Sequence, residues 1–392
     1  MSELDAGFGV YVHIPYCRRI CPYCDFNVHI ARRADWEGLA RGMGAELVAR
    51  SAPFAGLLAS SLYFGGGTPS LAPVALLDGV REAVAARFGL AADAEVTVEV
   101  DPATLARDGF AALRRLGVTR VSLGWQSTHD RLLRVLGRGH AALESREAYE
   151  GARAAGFEDV SIDLIFAVPG QTMADLDRDL DEIEQLAPDH VSLYAFTYHE
   201  GTELFRRRAQ GRVVPVTEEL ELEMMLRIEA RLVGAGFEHY EVSNYARPGK
   251  RSRHNMLYWR GGRYLGVGPG AHSFARDGWR RGWRWESVRA PAAYVAAWAS
   301  SRAAGLPIAG DASVSFVEEL TAAQLLSERF LVGLRTADGA DLAELELGDA
   351  RPRVEAAAAR GLALGWLRRT GTRLVPTSLG LCNADALAEL FF

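Results

Sequence analysis

The sequence predicts an α/β protein: a partial (βα)6 barrel, then a C-terminal α+β extension and a small winged-helix-like module. Three observations lead there. Six short runs of apolar or alternating residues, rich in β-branched and aromatic side chains, fall at 10–14, 61–64, 95–100, 120–124, 160–166 and 191–196. Between them, 34–50, 71–88, 103–116, 145–155 and 175–186 carry apolar residues at helical spacing. Near residue 205 this alternation stops. Repeated βα units imply a parallel sheet with helices on its outer face, and six units fall short of the eight that close a barrel, so the barrel stays open.

The remaining elements follow in order. Gly117 and Gly156 each follow a helical pattern and precede a strand, which suits a helix C-cap. Residues 206–208 and 217–233 read as helix, and 239–290, rich in Gly, Trp, Tyr and Arg, as loops with short strands. Pro307 and Gly310 punctuate the chain before a run of helix (321–334), helix (352–364), hairpin around Gly371 and helix (384–391). Three units are therefore expected: a barrel at 1–235, an extension at 236–315 and a helical, winged-helix-like domain at 316–392.

With 392 residues, 49% hydrophobic and 24% charged, the chain has the composition of a globular protein with a large core. The net charge of −6 argues against nucleic acid as a partner. No apolar run reaches the length of a membrane span, and residues 1–9 hold Glu3 and Asp5 without a basic leader region, so a reducing cytoplasm is the expected compartment.

Three of the four cysteines lie together, as Cys17, Cys21 and Cys24, directly after the first strand. Such clustering in a long chain reads as metal ligation rather than a disulfide framework. The C-x3-C-x2-C spacing suits a [4Fe–4S] cubane held through three irons, with the fourth open to a ligand. Zinc is the competing reading, but structural zinc wants four ligands in two close pairs, and only His13 and His29 are near. Cys382 reads as a packed thiol. Ligands of βα barrels gather at the C-terminal strand ends. There the sequence sets Gly66, Gly67 and Thr68 after strand two, Glu99 after strand three, Gln126 after strand four and Asp163 on strand five. Glycines allow close backbone approach to a ligand. Taken singly, each of these residues is equally a turn or a helix cap.

Together the phrases YVHIPYC (11–17), CDF (24–26), GGGTPS (65–70), RVSLGWQS (120–127), LGRGH (136–140), SIDLIFAVPGQT (161–172) and YEVSNYA (240–246) closely resemble the coproporphyrinogen III oxidase-like branch of the radical S-adenosylmethionine (radical SAM) superfamily. The resemblance covers nearly the whole chain. It implies a radical SAM barrel with a [4Fe–4S] cluster on Cys17, Cys21 and Cys24, and SAM on its open iron. It implies that Tyr11, Gly66, Thr68 and Glu99 contact SAM, that Gln126, Arg138 and Asp163 lie near it or near a second SAM, and that Tyr23 flanks the cluster.

Two functions compete within that branch: a haem chaperone, and the anaerobic oxidase that decarboxylates coproporphyrinogen III. Three features favour the chaperone. Phe26 stands where the oxidase carries a further cysteine; only 16 residues precede Cys17, where the oxidase has a longer arm; and HNMLYW at 254–259 matches the HNxxYW motif of the chaperone group. The expected partners are haem, a haem-accepting protein and an electron donor, with no nucleic acid. A modified RNA is a third reading, disfavoured by the acidic charge. In the C-terminal module, Arg351, Arg353, Arg360, Arg368 and Arg369 read as solvated charge rather than a DNA-binding face, with a lid or a homodimer contact as an equal alternative.

Haem needs an axial ligand, an apolar slot and cations for its propionates. Residues 250–289 supply each type, with His254 as the leading ligand, His272 in reserve, Tyr258 and Trp259 as lining, and Arg251, Arg253 and Arg260 beside them. Trp279, Arg280, Arg281, Trp283, Arg284 and Trp285 follow. The same run suits a domain contact or a surface for single-stranded nucleic acid, and a lone histidine is more often a hydrogen-bonded part of the fold.

Overall fold

The computed structural model describes residues 7–300 and 304–392. Part of the stretch read above for a leader, residues 1–6, lies outside them. Six parallel strands alternate with helices: β1 (Phe8–Ile14), β2 (Ala59–Gly66), β3 (Leu90–Val100), β4 (Arg120–Gln126), β5 (Val160–Phe166) and β6 (His190–Ala195). The crossing helices are α1 (Trp36–Arg50), α2 (Val74–Phe88), α3 (Arg107–Arg115), α4 (Ala142–Ala154) and α5 (Met173–Leu186). Asp35 caps α1 by accepting from Gly38 N, and Thr172 with Asp175 forms a capping box on α5.

The sheet extends beyond these six. β7 (Glu238–Glu241) and β8 (Asn244–Ala246) add antiparallel to β6. On the other side β9 (Arg263–Val267) joins β1 in parallel, and β10 (His272–Asp277), β11 (Arg281–Ser287) and β12 (Val314–Thr321) continue antiparallel. The order is β12-β11-β10-β9-β1-β2-β3-β4-β5-β6-β8-β7, and its two edges do not pair. The barrel is open, as expected, but it carries seven parallel strands. The stretch expected as loops with short strands holds five short strands and the helix Arg253–Trp259, and the sheet runs unbroken across the expected boundaries at 235 and 315. Beyond β12, the helices Ala322–Gly333 and Arg351–Ala363 and a three-stranded sheet (Ala340–Asp341, Leu367–Thr370, Arg373–Pro376) enclose a core of their own around Phe330, Leu374 and Phe391.

Side-chain alternation along the strands decides where a ligand can sit. Val96, Val98 and Val100 of β3, Val121, Leu123 and Trp125 of β4, and Ile162, Leu164 and Phe166 of β5 pack outward with helix residues such as Leu77, Val80, Leu113 and Ile183. Burying each side chain of this size contributes about 1.5–3 kcal/mol. The intervening positions Thr97 and Glu99, Arg120 and Ser122, Ser161 and Asp163, and His190 and Ser192 are polar and point to the barrel axis. The interior of this barrel is thus a polar cavity with an apolar jacket. Among the described residues no helix is long and apolar enough to cross a membrane.

Candidate functional site: a cysteine-mouthed polar cavity

The polar inner face encloses a cavity of about 560 Å³. Its mouth is the loop after β1, with Cys17, Cys21, Tyr23 and Cys24; its walls are Gly66, Gly67, Thr68, Glu99, Gln126, Arg138 and Asp163. Its floor, at the N-terminal strand ends, is Arg120, His190, Ser252 and Asn255. Of the residues expected to hold the cluster and SAM, Tyr11 alone stands outside this lining, and the expected haem residues His254, His272, Tyr258 and Trp259 stand outside it too.

The cysteine loop is tied to the glycine loop by backbone bonds. Gly67 N donates to Ile14 O at 2.8 Å and Thr68 N to Tyr16 O at 2.9 Å. Gly66 has φ +104°, and a Cβ there would meet the His13 ring at 2.5 Å; one on Gly67 would meet Ile14 O at 2.8 Å. Both positions exclude any side chain. All three cysteines are free thiols. Thr68 Oγ1 donates to Cys17 Sγ at 3.3 Å, and Arg138 Nη1 lies 3.8 Å from Cys21 Sγ. Burial pushes the Cys24 thiol up to about 12, with Cys21 and Cys17 adding to it, and raises Cys17 as well. A cationic cluster would supply the charge that makes thiolates of them. Among the described residues no group of three or more such side chains is drawn together around one ion. The three thiols line one mouth, and three thiolates suit a cubane that leaves one iron open.

Two buried carboxyls face the middle of the cavity. Glu99 accepts from Tyr63 OH at 2.9 Å and Gly66 N at 3.1 Å, and burial pushes it up to about 7. Asp163 accepts from Ser122 Oγ at 2.9 Å and is likewise raised by burial. A cationic ligand beside Glu99 would restore its charge. Nearer the mouth, burial works against the charge of Asp101, but His140 and Arg138 outweigh it and hold the carboxyl at about 2. Arg138 Nη2 bonds Asp101 at 2.7 Å and Gly124 O at 3.0 Å, which fixes its guanidinium beside Cys21. Gln126 ends β4 at φ +71°, a strained value that swings its side chain into the cavity after a bulge in the β4–β5 register.

His254 sits elsewhere. It lies on the helix Arg253–Trp259, whose N-terminus Glu95 caps by accepting from Arg253 N at 2.9 Å and His254 N at 3.0 Å. Its ring is 1% exposed, and Ser61 Oγ and Tyr258 OH each lie 2.8 Å from one of its nitrogens. The ring stacks on Tyr63 with centroids 5.0 Å apart, and Tyr11 stands 6.4 Å away. As placed, both imidazole nitrogens are hydrogen-bonded and the buried ring props Tyr63, and through it Glu99.

The expected propionate cations are also engaged. Arg251 pairs with Glu238 and Asp338, Arg253 with Asp93 and Arg260 with Asp338. Arg281 and Arg284 pair across strands with Glu319 and Glu318, Trp285 is fully buried, and Trp279 lies against Arg276 at 3.9 Å. The run is therefore the packed junction of β10–β12 with the C-terminal module. Sequence reasoning missed Tyr63, Asp101, Arg120, Ser122, His190 and Ser192. The signal that could have found them is the period-two polar face, which in a helix-wrapped sheet can only point inward.

The radical SAM superfamily pattern matches residues 11–183. Over 389 residues the chain is 39% identical to the heme chaperone HemW of Mycobacterium tuberculosis, covering 97% of this chain and 94% of that one. The chain belongs to the HemW family of radical SAM proteins. HemW of Escherichia coli is 38% identical over 67% of this chain and 69% of its own length. The solved coproporphyrinogen III oxidase HemN of Escherichia coli, described as a radical SAM enzyme, superposes with a TM-score of 0.81 over 98% of this chain and 90% of that one at 21% identity. At that identity the likeness is one of fold: this chain and the oxidase share a barrel.

Proposed function

We propose that this chain takes up haem and passes it to an acceptor protein, on a radical SAM barrel. Cys17, Cys21 and Cys24 hold the [4Fe–4S] cluster, and Gly66, Gly67, Thr68, Glu99, Gln126, Arg138, Asp163 and Tyr23 surround SAM. When bound, the cluster supplies one electron and an open iron to the sulfonium nucleotide. The chain's own residues bind and orient. Glu99 receives a ligand ammonium, the glycine loop admits a ligand close to the backbone, and Arg138 sets a positive charge beside Cys21. An external electron donor serves the cluster, the compartment is the cytoplasm, and a homodimer belongs to the same reading, to be decided by light scattering.

The observation that carries the reading is the near full-length likeness to HemW, in a chain whose three free thiols face one polar cavity. Phe26 at the cysteine loop supports the carrier over the oxidase. The test is anaerobic. Purified, iron-reconstituted protein titrated with haem should develop a Soret band and lose it to an apo-haemoprotein. The same protein given coproporphyrinogen III, SAM and a reductant should yield no protoporphyrinogen. Product formation, or no haem binding at micromolar protein, would overturn the proposal.

A further inference from the structure

Both ring nitrogens of His254 are bonded, so an axial ligand that needs no rearrangement of the fold comes from another histidine, and all nine lie among the described residues. His13 and His190 are buried with both ring nitrogens bonded. His140 is 5% exposed, and the side chains of His129 and His239 are 14% and 11% exposed. His29 Nε2 is buried. His272 is exposed, but its Nε2 faces Glu286 at 3.5 Å and it stands outside the cavity lining. His199, on the loop after β6, is the one histidine that is both open to solvent and part of the cavity lining.

We propose that haem docks at the mouth of the cavity with its iron on His199 Nε2. This inference rests on the haem-carrier reading and names the site for it. His199 Nδ1 lies 3.2 Å from Asp25 Oδ2. The carboxylate stands beside Nδ1 and leaves Nε2 turned away from it; with iron on Nε2, Nδ1–H is given to that carboxylate, the arrangement that orients metal-binding imidazoles. Nε2 has no partner among the described residues. Asp25 follows Cys24 directly, so the haem ligand is oriented by the cluster loop itself.

The surroundings supply what else haem needs. Phe26 is 64% exposed and Ile20 50%, and Phe26 and Val28 line the mouth. Apolar side chains left in water beside a cavity mark a surface made for an apolar ligand. Arg18 and Arg19, also at the mouth, give hydrogen bonds to Ala103 O at 2.8 Å and Arg138 O at 3.4 Å, and neither has a carboxylate partner among the described residues. Two unneutralised guanidiniums suit two propionates. The ligand chemistry is therefore a planar, apolar iron porphyrin with acidic edges.

The test uses the full chain with its cluster intact, titrated with haemin and read by the Soret band and by resonance Raman of the ferrous iron–histidine stretch. His199→Ala should weaken binding at least about tenfold and abolish the iron–histidine band. His199→Met should keep binding with a changed axial-ligand signature. Asp25→Asn should keep binding but lower the stretching frequency, which a merely structural role would not do. Iron content and thermal unfolding identify any variant that fails to fold. Wild type that binds haem with no change in His199→Ala or His199→Met overturns this inference and leaves the carrier reading standing. Wild type that binds no haem overturns the carrier reading itself.

Discussion

At the scale of single residues, the site depends on groups that admit no substitute. Cys21→Ala removes one of three thiols, and the expected outcome is loss of most of the ~4 irons per chain, measured by metal analysis and by bleaching of the brown chromophore. Tyr63→Phe deletes the hydroxyl that Glu99 accepts. A hydrogen bond to a charged partner is worth about 1.5–3 kcal/mol, so SAM affinity should fall by about tenfold or more by calorimetry while the fold is kept. His254→Ala should act on stability. It strips partners from Ser61 and Tyr258 and removes the ring under Tyr63, at a cost of about 2–3 kcal/mol in denaturant unfolding, with haem affinity of the folded fraction unchanged. The Cys17, Cys21 and Cys24 spacing is readable because a loop of a few residues fixes it. The sealing of His254 is not, because Ser61 and Tyr63 reach it from another strand.

At the scale of elements, each barrel strand has an outer face that builds the core and an inner face that builds the site. Sequence reasoning located the strands within a few residues, since both faces obey the same period of two. It left the inner face unassigned, because alternating polar residues read equally as a solvent-facing sheet. Helices on one side of the sheet remove that ambiguity. The short strands expected within 239–290 could not be placed from the sequence for a related reason. Strands β9 to β11 are short, aromatic and punctuated by glycine, and they gain definition only by pairing with β1, with one another and with β12.

At the scale of the whole molecule, buried carboxyls give stability a pH dependence. Glu46 of α1 accepts from Tyr294 OH at 2.6 Å and Gly268 N at 2.8 Å, joining the first helix to the turn after β9, and burial pushes it up to about 7. Glu241 is also raised to about 7 by burial. A carboxyl whose folded pKa lies above its unfolded value of 4.5 binds its proton more tightly when folded. Its contribution is complete below 4.5 and is lost as the pH rises through about 7. The expected result is a wild-type urea midpoint that falls from pH 5.5 to pH 7.5 by more than that of Glu46→Gln does, with a slope difference of at most about 1.4 kcal/mol per pH unit. Asp338 ties the C-terminal module to both flanks of the Arg253–Trp259 helix through Arg251 and Arg260. Asp338→Asn should speed proteolysis between the two without changing iron content.

What the sequence determined by itself is whatever local spacing controls: the βα rhythm, the cysteine loop, the glycine loop and the polar residues at strand ends. Hydrogen-bonded turns, helical periodicity and ligand spacing act over a few residues, so they are written in adjacent letters. Only the tertiary structure decided which histidine is sealed and which is open, that Asp25 meets His199, and that Arg251, Arg253, Arg260, Arg281 and Arg284 pair with carboxylates. Those outcomes depend on partners brought together from distant strands, and a side chain's chemistry toward a ligand is set by what already occupies its lone pairs and protons.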